Sequence, residues 1–386
     1  MGNGPPTDDS NRVARAQTMS TSNRLDRRHA LALVGWGSLA ALFPPSARAA
    51  ARDQRMDLDA HGCGAPQIGN IIDVHAHAIL PSWIDALKRS PSDMAPLAAI
   101  PWSPQMAIDT MDQNDISLMV LSNPLGTRGF AGSDANQLAQ RMNNELAAMV
   151  SAHPRRFGAF AALPLTDVEA SLVELDRALG SLALDGVCLQ TNADGAYLGD
   201  GRFDPLFAEL DRRRAVAFVH PVAPKFQASI GLPFSPGIME FMFDTTRAVA
   251  SMVFSGMRSR YRNFTYIATH GGGTIPYLAE RFATDNMLPQ GGYRVAMSAD
   301  DIRRDLRSFI FDLTSATSAG SIAALRALAP ADNIVMGFDY PMRHREKIAE
   351  ALADILRSPS IANADLPGLC CGNALRLLPT VARRLN

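Results

Sequence analysis

The sequence predicts an α/β domain folded as a parallel (β/α)8 TIM barrel over residues 71–386, and three observations carry that expectation. Apolar runs of strand length alternate with amphipathic stretches of helix length from residue 71 onward, at intervals of about 30 to 50 residues. Eight such runs lie near 71–75, 117–121, 157–162, 186–190, 216–220, 265–269, 308–313 and 334–338. Several end in a residue of metal-ligand type just before a loop, and a parallel barrel gathers all strand ends on one face.

The first run, Ile71-Ile72, leads into Asp73-Val74-His75-Ala76-His77. Side chains two apart on a strand share a face, so His75 and His77 can address one ion. A Pro-, Ser- and Ala-rich loop is expected over 81–103, followed by helices at 104–114, 134–152 and 168–180. The fourth strand reads Gly186-Val187-Cys188-Leu189-Gln190, and a helix over 204–213 separates it from Val216-Ala217-Phe218-Val219-His220. Residues 221–236 carry Pro221, Pro224, Pro233 and Pro236 and are expected to form a second long loop that shapes the pocket. A helix over 237–258 precedes the sixth strand, which ends at His270-Gly271-Gly272-Gly273, with a helix at 274–286 behind it. Helices at 318–328 and 345–357 flank the last strand, which ends at Asp339-Tyr340-Pro341.

His75, His77, His220 and Asp339 offer three nitrogens and one oxygen, a set suited to one divalent ion, zinc first and manganese second. Such an ion acts as a Lewis acid or lowers the pKa of bound water towards about 7. His270 is a fifth polar group beside them. The helix amino terminus that follows it disfavours imidazolium, so His270 is expected to stay neutral and to accept a proton as general base.

In this order, Asp73 to Pro81, Pro154-Arg155-Arg156-Phe157, Phe218-Val219-His220-Pro221, His270 to Gly273, Asp339-Tyr340-Pro341 and Gly372-Asn373-Ala374 make the chain resemble a known family. It is similar to the amidohydrolase-related proteins of the aminocarboxymuconate-semialdehyde decarboxylase type, and Phe243 to Ala248 and Arg202 to Phe207 resemble the aromatic-acid decarboxylase branch. The resemblance implies a barrel of the metal-dependent hydrolase superfamily and a non-oxidative decarboxylase, a carbon–carbon lyase, acting on a small aromatic or unsaturated carboxylic acid. There the metal anchors substrate oxygens, and His270 or Asp339 delivers a proton to the carbon that loses carbon dioxide. A hydrolase of an ester, lactone or amide, built from the same residues, is the alternative.

The resemblance further implies that Arg281, eleven residues after His270, binds the substrate carboxylate, in some similar proteins across a dimer interface; a homodimer is expected, and Arg247 is a second candidate for the same task. Many members of the superfamily hold two ions with a carboxylated lysine on the fourth strand. The lysines here are Lys88, Lys225 and Lys347, none on an expected strand, which implies one ion. The stretch Met94 to Trp102 lacks the substrate-binding arginine of the decarboxylase that names the family, so an apolar or aromatic acid fits better than the aminomuconate semialdehyde.

Ahead of the barrel, Arg27-Arg28 precedes an apolar run from Ala30 to Phe43, then Pro44-Pro45 and Ala47-Arg48-Ala49. This pattern predicts a twin-arginine signal peptide over 1–49, cleaved after Ala49, and a linker over 50–70. Met19 is an alternative start. The run of about 14 apolar residues is short of the roughly 20 needed to span a bilayer. Export to the periplasm follows, and that route carries folded protein already loaded with metal. The net charge of −1 over 386 residues supplies no basic surface for nucleic acid, and four cysteines without a spacing pattern imply no disulfide framework.

Overall fold

Each expected strand forms, and the strands pair in chain order. A computed structural model describes Met1 and residues 71–89, 95–231, 233–285 and 297–385. Apart from Met1, the expected signal segment and linker lie outside the described residues. The barrel strands are β1 (Ile71–His77), β2 (Ile116–Ser122), β3 (Phe157–Ala162), β4 (Gly186–Gln190), β5 (Val216–His220), β6 (Thr265–Ala268), β7 (Ile310–Asp312) and β8 (Ile334–Val335). Neighbouring strands run parallel throughout. The ring closes between its last and first members: Val74 N–H donates to the Met336 carbonyl at 3.0 Å, Asp339 N–H to that of His75 at 2.8 Å, and His77 N–H to that of Tyr340 at 2.7 Å.

These strands read as near-continuous apolar runs because both of their faces are covered. Val74, Val120, Phe160, Cys188, Phe218, Ile267 and Val335 fill the interior, together with Leu378, between the carboxyl-terminal helices Asn373–Leu377 and Pro379–Leu385, and Val381 on the second of them. A second cluster joins the outer faces of the strands to the surrounding helices. Those helices are α1 (Pro81–Arg89), α2 (Pro104–Gln113), α3 (Gly132–Ala152), α4 (Val168–Leu179), α5 (Asp204–Arg213), α6 (Pro236–Phe254), α7 (Ile275–Thr284), α8 (Ala299–Arg307), α9 (Ala319–Leu328) and α10 (Arg345–Leu356). Side-chain caps set several starts, including Ser103 before Pro104, Asp167, Ser298 and Ser318.

The structure corrects four expectations. Residues 81–103 are not a plain loop: α1 opens them because Trp83, Ala86 and Leu87 share one helical face and pack into the core. The expected loop 221–236 contains a short helical turn, Gln227–Ile230. The helix expected over 237–258 stops at Phe254, and a separate turn, Met257–Arg260, follows Gly256 in the left-handed region at φ 72°. Cys188 and Cys370 are buried and free, but Cys371 is disulfide-bonded, a pairing that adjacent cysteines in the sequence do not announce.

Candidate active site

The carboxyl ends of β1 and β5, with the segment just past β8, bring one ligand atom each from His75, His77, His220 and Asp339 within 4.8 Å of one another. All three histidines are buried. Ring centroids of His75, His77 and His220 lie 4.9 to 5.3 Å apart. His77 Nε2 is 3.0 Å and His75 Nε2 3.6 Å from Asp339 Oδ1.

Hydrogen bonds on the far side of each ring set the tautomer. His75 Nδ1 lies 2.5 Å from Asp312 Oδ2, and Asp312 also accepts from the Thr314 and Gly271 N–H groups. His77 Nδ1 faces the Ser122 hydroxyl at 3.0 Å, and His220 Nδ1 donates to the Pro221 carbonyl at 2.9 Å. With Nδ1 so engaged, each ring turns Nε2 inward as a lone-pair donor. His75 Nε2, His77 Nε2 and Asp339 Oδ1 are buried without a hydrogen-bond partner among the described residues. Buried polar atoms left unmatched are costly, so orphans converging on one point are what a cation site presents when its donors are counted without the ion.

Electrostatics follow from burial and proximity. Burial and the neighbouring histidines push the His220 pKa well below its ordinary value. Burial likewise lowers that of His77. Burial opposes charge on His75 too, but the attraction and hydrogen bond of Asp312 leave its pKa raised. For Asp339, burial is outweighed by the imidazoles of His270, His77 and His75, and the carboxyl sits well below the usual carboxylate range. Asp73 shows the opposite balance: buried at the centre of β1, it is pushed up to about 8 despite accepting from the His75 and Phe338 N–H groups.

His270 stands beside the ligand cluster, its ring 4.9 Å from His75 and 5.4 Å from His220, with Nε2 3.8 Å from Asp339 Oδ2. Thr269 commits its hydroxyl proton to the Val219 carbonyl, so its oxygen accepts from His270 Nδ1 and leaves Nε2 facing Asp339. His270 and Asp339 both adopt left-handed backbone conformations, φ 57° and 64°, an uncommon state for residues with side chains that concentrates at functional sites. The part-exposed ring of Phe241 on α6 stands edge-on to His220 at 5.9 Å and forms an apolar wall.

Neither arginine named from the sequence pairs with a residue of the ligand cluster among the described residues. Arg281 is on the outside of α7, its side chain 72% exposed and paired with Asp285 at 3.2 Å. Arg247 on α6 stacks over Phe226 and lies 3.6 Å from Glu240 and 3.8 Å from Asp244. Sequence reasoning missed Asp312 and Ser122. Both end strands immediately before loops, the same signal that marked His220 and Asp339.

A parallel barrel with three histidines and a carboxylate converging at its carboxyl ends defines a metal-dependent barrel enzyme. The amidohydrolase family matches residues 72–380, and the chain belongs to that family. It is 30% identical over 313 residues to the 6-methylsalicylic acid decarboxylase of Penicillium expansum, covering 80% of this chain and 96% of that protein. It is 27% identical over 280 residues to the 2-amino-3-carboxymuconate-6-semialdehyde decarboxylase of Dictyostelium discoideum, covering 72% and 77%. Among solved structures, 5-carboxyvanillate decarboxylase from Novosphingobium aromaticivorans, complexed with manganese and 4-hydroxy-3-methoxy-5-nitrobenzoic acid, superposes with a TM-score of 0.73 at 19% identity, covering 82% of this chain and 97% of that one, which shows the shared fold.

Proposed function

We propose that this protein is a metal-dependent non-oxidative decarboxylase of a small aromatic carboxylic acid. The observation that carries the reading is the convergence of His75, His77, His220 and Asp339 within 4.8 Å, with His75 Nε2 and His77 Nε2 buried and unmatched among the described residues. The names of the relatives supply the reaction class, and Phe241 beside His220 suits a flat aromatic ring.

His75, His77, His220 and Asp339 would hold one divalent ion, which would supply Lewis-acid stabilisation of negative charge on the substrate. The three-nitrogen set favours zinc, whereas the 5-carboxyvanillate decarboxylase structure contains manganese. His270 performs the proton step. Its Nδ1–H donates to Thr269, so Nε2, opposite Asp339 Oδ2, is the basic atom that first takes up a proton and then, from the imidazolium, passes it to the ring carbon as carbon dioxide departs. Asp312 keeps His75 oriented throughout.

The enzyme is exported by the twin-arginine route and works in the periplasm. The disulfide at Cys371 supports an oxidising compartment, and no helix among the described residues is long and apolar enough to cross a membrane. It works as a homodimer, in which Arg281 reaches the substrate of the partner subunit. The exposed Tyr277, one turn before Arg281 on α7, supports an interface there.

Metal analysis of the purified protein, joined to a carbon dioxide release assay over hydroxybenzoates including 6-methylsalicylate, tests the reading. Release that a chelator abolishes, that zinc or manganese restores, and that His270→Ala eliminates is the expected result. Metal-loaded protein that releases no carbon dioxide but cleaves esters or lactones would overturn it in favour of a hydrolase.

A further inference from the structure

Three arginines among the described residues have a guanidinium nitrogen that is buried without an acceptor: Arg156, Arg247 and Arg343. Two of them keep carboxylates nearby. Arg156 holds Asp112 at 2.6 Å, and Arg247 lies between Glu240 and Asp244. Arg343 has no such partner among the described residues, and what ties it down is its backbone N–H, which donates at 2.7 Å to the Asp339 carbonyl. That bond closes the turn leading out of Asp339, so Arg343 belongs to the loop of the metal-ligating carboxylate, at the carboxyl end of the barrel.

A guanidinium stays charged at any working pH, and a charge partly removed from water is unfavourable until an anion meets it. No carboxylate among the described residues pairs with it. The arginines named from the sequence are otherwise engaged, Arg247 beside two acids and Arg281 at the surface. We propose that Arg343 binds the carboxylate group of the substrate beside Asp339, and thereby selects carboxylic acids over the corresponding phenols. This inference rests on the decarboxylase reading above. The planar fork of the guanidinium matches a carboxylate through two parallel N–H bonds. On cleavage the bonding electron pair stays on the ring carbon, which takes the proton, and the carboxylate leaves as neutral carbon dioxide. The anion that Arg343 held is then gone, so the same contact that favours substrate no longer holds product.

The test is equilibrium binding to the metal-loaded full chain of an aromatic acid and of the phenol lacking its carboxyl group, in wild type, Arg343→Gln and Arg343→Lys, with metal content and KM for carbon dioxide release measured alongside. Arg343→Gln is expected to weaken acid binding about 10- to 100-fold while phenol binding and metal content stay unchanged, with KM rising in parallel. Arg343→Lys, which keeps the charge but not the planar fork, is expected to lose a smaller factor for the acid alone. Equal weakening of acid and phenol, or unchanged acid binding in both variants, would overturn the proposal. Wild-type protein that binds acids through Arg343 yet releases no carbon dioxide would sink the decarboxylase reading and leave this inference standing. Carbon dioxide release with an unchanged KM in Arg343→Gln would do the reverse.

Discussion

The two ends of the barrel differ in how most of their buried polar groups are matched, although Arg156 Nε and Tyr266 Oη near the amino ends are also without a partner among the described residues. At the amino ends of the strands, Asp185 just before β4 accepts from the Ala159 N–H, from Thr380 and, through both oxygens, from Arg384 on the last helix at 2.9 and 3.0 Å. Arg258 there donates to Ser308 and to the carbonyls of Tyr261 and Phe264, which lets a cation stay buried even though burial pulls its pKa down to about 10. Asn373 bonds the carbonyls of Ala331 and Ile334. At the carboxyl ends, His75 Nε2, His77 Nε2, Asp339 Oδ1, Asn123 Nδ2 and Arg343 Nη1 are buried and unmatched. Polar groups that satisfy one another hold a fold together, whereas the converging atoms of His75, His77 and Asp339 are held ready for a cation. One end is therefore built for stability and the other for binding, and mutations at the two ends should separate those properties.

The largest effect is expected at the binding end. Asp339→Asn removes the anionic ligand and should lower carbon dioxide release by about 10³-fold and metal content with it. The melting temperature of the metal-free protein should stay close to that of metal-free wild type; a large drop would show that Asp339 also holds the fold. At the other end, Arg384→Ala leaves Asp185 buried with its charge uncompensated and should cost about 3 kcal/mol in denaturant unfolding. Activity per folded molecule should be unchanged, and a fall in kcat would erase the distinction between the two ends. Asp312→Asn keeps an acceptor for the Gly271 and Thr314 N–H groups but loses the carboxylate behind His75, so metal affinity should fall about 10- to 100-fold by competition with a chelating dye. Unfolding of the apoprotein should move little. Ser122→Ala takes away the weaker support behind His77 and should cost about 1 kcal/mol of metal-binding free energy at most. An effect on metal binding as large as that of Asp312→Asn would mean that the two supports count equally.

Much of this architecture was legible from the residues. Strands buried on both faces announce themselves as apolar runs, and the ligand histidines and Asp339 end such runs, so barrel and metal cluster could be read together. Elements that depend on one helical face being covered were harder. α1 opens the Pro-, Ser- and Ala-rich stretch 81–103 that reads as loop, until Trp83 and Leu87 find the core. Gly337 shows the same limit. An added Cβ there would lie 2.6 Å from Thr314 Oγ1 and 2.8 Å from His75 Cβ, so its lack of a side chain makes room for the ligand strand, a need that its neighbours in sequence do not reveal. Asp312 ends its strand as His220 does, yet its role depends on which ring it faces across the barrel.

The sequence by itself determined the periodicity of strands and helices, the closed parallel barrel and the residues that converge at its carboxyl ends, because those follow from local hydrophobic pattern and from a single topological rule. Only the tertiary structure decided which nitrogen each histidine turns inward, which arginines are neutralised by acids, and that Arg343 has a buried nitrogen unmatched among the described residues. Those are properties of distances between residues far apart in the chain, and a linear pattern of residue types carries no information about them until the ring has closed.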